Sequence, residues 1–157
     1  MPELDAIVAM VLADRYSGNL ARIRELAAPL SEKQFWTKPS SYGNSFGHLV
    51  LHLTGNLNYY IGAQIANTGY VRNREREFTD SNPPSKVEAL KRFDAAVAMV
   101  LKTIRAQLPT DWSKEYTAER ETATNRLDIM IRCAAHMQHH IGQMIYLGYE
   151  YRAQEGR

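Results

Sequence analysis

Apolar residues recur at three- and four-residue intervals in four long stretches of the chain, the spacing of helices that bury one face. Ile7, Val8, Val11, Leu12, Leu20, Ile23 and Leu26 predict a first helix from Leu4, ended by Pro29. A second, capped by Ser45 and running to about Asn67, carries Phe46, Leu49, Val50, Leu51, Leu53, Leu57, Tyr60 and Ile61 around nearly its whole circumference, which suits an interior position. A third begins near Ser85, with Glu88 at capping-box spacing, and stops before Pro109; its stripe is Val87, Leu90, Phe93, Val97, Val100, Leu101 and Ile104. The fourth starts near Asn125 and reaches roughly Tyr151 through Met130, Ala134, Met137, Ile141, Met144 and Leu147.

The connections differ in character. Between the first two helices, Ser31 to Gln34 suits a short helical turn, and Pro39, Ser40, Ser41 and Gly43 favour loop. Gly69 to Pro84 is rich in charge and ends in Pro-Pro, so it reads as a long surface connection able to cross an end of a bundle. Thr110 to Thr124 fits either a loop or a short extended pair. No strand pattern, repeat or low-complexity tract emerges. The expected architecture is all-α, one four-helix domain spanning residues 1–157.

Composition narrows the function classes. Hydrophobic content of 45% with 23% charged residues is globular, and a net charge of +2 advertises neither a nucleic-acid partner nor an anionic membrane. Charged residues or histidine interrupt every apolar run well short of the roughly 20 residues a membrane span needs. The single cysteine, Cys133, forms no intrachain disulfide, and Met1-Pro2-Glu3-Leu4-Asp5 lacks the features of a secretory signal, so the cytoplasm is the expected location.

All five histidines fall on two of the predicted helices: His48 and His52 on the second, His136, His139 and His140 on the fourth. Residues four apart on a helix are rotated by roughly 40° and separated by about 6 Å along the axis, so His136 and His140 can aim two imidazoles at one point. A third imidazole from a facing helix closes one side of a coordination sphere and leaves the other open, the arrangement of a catalytic rather than a structural metal site. His48 and His52 both qualify for that place on helical geometry. Other chemistries are missing: there is no HExxH, no Glu-x-x-His, no glycine-rich phosphate loop and no G-x-S-x-G elbow. Cys133, one turn before His136, reads as a small buried hydrophobe, and Arg72, Arg74 and Arg76 as a solvated charge run.

At these residues the sequence resembles the DinB-like superfamily, which includes the damage-inducible and YfiT-like metal-dependent proteins. Asn44-Ser45-Phe46-Gly47-His48-Leu49-Val50-Leu51-His52-Leu53 is similar to the family's W-S-I-G-x-x-x-x-H-L motif, whose final His is a ligand, with Asn44 in place of Trp. His136-Met137-Gln138-His139-His140-Ile141-Gly142-Gln143 is similar to its H-x-x-H-H-x-G-Q motif, whose first and last histidines bind metal. The resemblance implies an up-down-down-up bundle with a long connection between helices 2 and 3, metal ligands His52, His136 and His140, a divalent ion (nickel or zinc foremost), and a homodimer. Characterised relatives include transferases and isomerases that use a low-molecular-weight thiol.

The expected activity is therefore a metal-dependent transfer or hydrolysis in which the ion lowers the pKa of a thiol or water, with a small molecule as substrate. Asn56, one turn beyond His52, and Gln143, near His140, are placed to hydrogen-bond a ligand or orient an imidazole, and Arg76 and Glu77 to cover the site. The rival expectation is a non-catalytic, stress-related bundle that serves metal binding or dimerisation and whose metal site is structural or vestigial; a structural site would be closed by a fourth ligand such as Cys133 or His139.

Overall fold

Four helix starts are fixed by side chains that accept backbone N–H groups otherwise left unpaired. In the computed structural model, which describes residues 3–156, Ser31 accepts from Gln34, Ser45 from His48, Ser85 from Glu88 and Asn125 from Asp128. The helices that follow are α2 (Glu32–Trp36), α3 (Phe46–Leu57), α5 (Lys86–Arg105) and α6 (Arg126–Glu155); α1 spans Leu4–Ala27 and a short α4 spans Arg76–Thr79. Of these four starts, only that at Ser31 forms the reciprocal capping box; Glu88 turns away to bond Arg92. Among the described residues no helix is long and apolar enough to cross a membrane.

The four long helices pack so that α1 and α3 each lie against both α5 and α6. Their directions follow from paired residues. Tyr16 donates to the Met130 carbonyl and Asn19 to that of Ala134, so α1 and α6 run parallel. Arg24 pairs with Asp94 while Lys86 reaches the Leu30 carbonyl, so α1 and α5 run antiparallel. His52 meets His136, and Leu49 shares a groove with Gly142 and Leu147, which sets α3 antiparallel to α6. The order is up-down-down-up, with a core centred on Phe46, Leu53, Ile61, Phe93, Val97, Ile129 and Met137.

Several elements differ from the sequence expectation. The second helix turns into a π-helical stretch at Asn58–Ala63 and stops there, short of Asn67, which like Gly69 adopts positive φ in the turn that follows. The buried face of α1 is Leu12, Tyr16, Asn19, Ile23 and Ala27, whereas Val11 is 52% exposed. Tyr16 and Asn19 go inward because α6 carbonyls accept their protons. Val87, assigned to the buried stripe of α5, points to solvent. Between α5 and α6 the chain makes a 3-10 turn at Pro109–Asp111 and one antiparallel bridge, Glu115 with Asn125, the shortest form of an extended pair. The long connection is not wholly superficial, since α4 turns Glu77 into the interior.

Candidate metal centre

His48 and His52 occupy successive turns of α3 and have different surroundings. His48 stands at the helix start: its backbone N–H donates to Ser45 Oγ, its Nδ1 lies 2.7 Å from the same hydroxyl, and its ring packs edge-on against Trp36. Burial, with Lys38 nearby, pulls its pKa down. It is a residue of the helix start. His52, one turn on, faces α6, where its Nε2 lies 3.2 Å from His136 Nε2. His140 Nε2 lies 2.9 Å from that same atom. Three imidazole nitrogens thus converge from two antiparallel helices. His139 stays outside, exposed on the far side of His140, as does Cys133, whose buried thiol is pushed well above its ordinary pKa.

The outer nitrogens fix which tautomers are present. Glu77 Oε2 is 2.8 Å from His52 Nδ1 and Gln143 Oε1 is 2.7 Å from His140 Nδ1. A carboxylate and an amide oxygen can only accept, so both Nδ1 atoms carry the proton and both Nε2 lone pairs point inward. Whichever nitrogen of His136 is protonated, its Nε2 cannot satisfy both neighbours, and its Nδ1 is buried without a partner. A cation is the partner that all three lone pairs can share. Three neutral imidazoles suit zinc, nickel, copper or iron, so the donor set could hold a metal ion.

The electrostatics agree with that geometry. Burial first, then the neighbouring histidines and Arg72, pull His136 down to about 3. Burial likewise lowers His140 to about 4, against the opposing effect of the hydrogen bond it donates to Gln143. Both rings are therefore neutral, and able to ligate, far below neutral pH.

Glu77 is itself held. Arg72 donates Nε to its Oε1 at 2.7 Å and a second N–H to its Oε2 at 3.0 Å, a two-pronged pair with both side chains buried. Gly55 makes room for this carboxylate, because a Cβ there would collide with Glu77 Oε1. Arg72 thus belongs to the support of the site and not to a solvated charge run. Arg76, in contrast, is exposed and pairs with Asp80 at 3.3 Å, so it does not cover the histidines. Phe78 stacks on His52 with ring centroids 4.9 Å apart.

His52 and His136 form part of the wall of an open cleft of about 1280 Å³, together with Asn56, Tyr59, Tyr60, Arg72, Phe78 and Cys133. Residues 15–144 match the sequence model of the DinB superfamily. The chain belongs to this superfamily. Its DinB-like character thus rests on most of the chain length and on an all-helical bundle with converging histidines. No curated protein matches the sequence significantly.

The support formed by Glu77, Arg72 and Gly55 could not be assembled from sequence alone. The sequence offered Glu77, with Arg76, only as a cover over the site; that it instead hydrogen-bonds His52 Nδ1, 25 residues away in the chain, is marked by nothing in Arg72-Asn73-Arg74-Glu75-Arg76-Glu77. The one available signal was Gly55 within an otherwise well-formed helix, since such a glycine marks a close approach.

Proposed function

We propose that this DinB-like chain is a metal-dependent enzyme in which His52, His136 and His140 hold one divalent ion, nickel or zinc, for transfer or hydrolysis on a small molecule. The observation that carries the reading is the inward convergence of three Nε2 atoms beside an open cleft. An ion bound there supplies Lewis-acid charge that lowers the pKa of a thiol or water, so that a nucleophile exists at neutral pH.

The chain's own residues orient and support. Glu77 holds the proton on His52 Nδ1 and fixes the plane of that ring, and Gln143 does the same for His140. Arg72, bonded to both carboxylate oxygens, holds Glu77 aimed at His52. No fourth His, Cys, Asp or Glu joins the three among the described residues, which favours an open site over a closed structural one.

Elemental analysis of untagged protein tests this, with His52→Ala and His48→Ala purified alongside. About one ion per chain is expected in wild type and in the His48 variant, and loss in the His52 variant. Wild-type protein without metal, or equal content in all three, overturns the proposal. Turnover of thiols with electrophiles by the loaded protein, lost in His52→Ala, then tests catalysis.

A further inference from the structure

Asn56 follows His52 by one helical turn, so the two side chains leave the same face of α3, and both line the cleft. Asn56 is only 7% exposed, and its Oδ1 is buried with no hydrogen-bond partner. Other polar groups nearby are engaged: Thr54 donates to the Val50 carbonyl, Tyr116 to that of Tyr60, and Glu77 takes up Arg72 and His52; His136 Nδ1, in the same cleft wall, also lacks a partner and is not bonded to Asn56. The carboxamide bonds to no imidazole. An acceptor withdrawn from water and left unpaired destabilises the fold, and such groups collect where a ligand completes them.

We propose that Asn56 Oδ1 is the specificity contact of the cleft, and that the small molecule bound beside the histidines carries a hydrogen-bond donor a few bonds from its reactive atom. The spacing follows from the helix, since one turn places Asn56 about 6 Å along the axis from His52. On the thiol form of the function proposed above, on which this inference rests, the substrate class is a thiol with an amide-type N–H separated from sulfur by a short carbon chain. A thiol lacking the donor leaves Oδ1 unpaired and binds less well.

Two probes that differ by a single N–H test this: N-acetylcysteamine and its ester analogue 2-mercaptoethyl acetate. Their affinities for the metal-loaded full chain are measured by calorimetry, for wild type and Asn56→Leu. Metal content and the melting temperature of the metal-free proteins are measured beside them. The amide is expected to bind wild type roughly tenfold more tightly than the ester, a difference typical of one buried hydrogen bond. Asn56→Leu should bind the two alike, with unchanged metal content and a melting temperature no lower than that of wild type. Equal binding of the probes to wild type, binding of neither, or a preference that survives in Asn56→Leu overturns the proposal. So does a variant that loses metal and stability together, because Asn56 would then be a structural residue. A wild type that carries no metal defeats the metal reading instead; repeating the titration on metal-free protein then decides the Asn56 contact separately, by the same criteria.

Discussion

Glu77 Oε2 lies 2.8 Å from His52 Nδ1, and this hydrogen bond ties the long connection after α3 to the three-histidine cluster. The carboxylate does two things at once: it selects the tautomer that turns His52 Nε2 inward, and it neutralises the buried Arg72 guanidinium.

Replacing Glu77 by Gln should therefore cost both affinity and stability. The amide can still accept from His52, but Arg72 is left buried without its counter-charge, a change worth about 3 kcal/mol. Metal affinity should fall about 10–100-fold, the usual effect of losing a group that orients a ligand. Competition with a chromophoric chelator reads the first quantity and urea unfolding of metal-free protein the second. Wild-type affinity in Glu77→Gln would remove Glu77 from the site.

Gly55→Ala places a methyl group where the Glu77 carboxylate sits. Alanine gains about 1 kcal/mol of helix propensity over glycine, yet the carboxylate must withdraw from His52. The expected outcome is weaker metal binding with α3 intact by circular dichroism. Because the methyl acts through the Glu77 side chain, the Gly55→Ala/Glu77→Ala double variant should bind metal little worse than Glu77→Ala alone. Additive losses would mean that the two act separately.

Metal-free protein should lose stability as the pH falls below about 6.5, the ordinary histidine value. His136, held near 3, and His140, held near 4, stay neutral in the folded chain while the unfolded chain takes up protons. The unfolded state binds more protons throughout that window, so unfolding becomes easier with each step toward acid. The contribution is absent above the unfolded value and stops growing once the folded values are passed. Urea midpoints at pH 7.5, 6 and 5 measure it, and the slope should flatten in the His136→Gln/His140→Gln variant. An unchanged slope there would assign the effect to other groups.

Ser45→Ala should separate folding from metal binding. Ser45 caps α3 and also meets His48 Nδ1, so its loss should cost about 1 kcal/mol or slightly more. Metal content should stay that of wild type, since the His48 pair is distinct from the histidine cluster. A drop in metal content would mean that the start of α3 sets the position of His52.

Much of this architecture could be read from the chain because its signals are local. The four-residue spacing of His136 and His140 is a helical fact, and the serine and asparagine caps lie next to the helices they start. Choosing His52 over His48 needed more than spacing, because the difference lies in what each ring meets across the bundle: α6 for one, Ser45 and Trp36 for the other. Tyr16 and Asn19 were invisible as core positions, since their burial depends on carbonyls of a helix more than a hundred residues away. The π-helical stretch was hidden for a different reason: Tyr59, Tyr60 and Ile61 read alike in an α- or a π-turn.

The parallel course of α3 and α5 has a consequence for how the molecule can come apart. With Trp36 seated against Gly47, Glu32 against Lys86 and Met99 against Gly62, the chain leaving α3 must travel back along the bundle before α5 can begin. Glu77 lies on that return path. A protease that nicked the connection on either side of α4 would leave the histidines on intact helices but free the carboxylate that steadies them. Retention of metal by this protein is then also a gauge of whether the return segment is still in one piece.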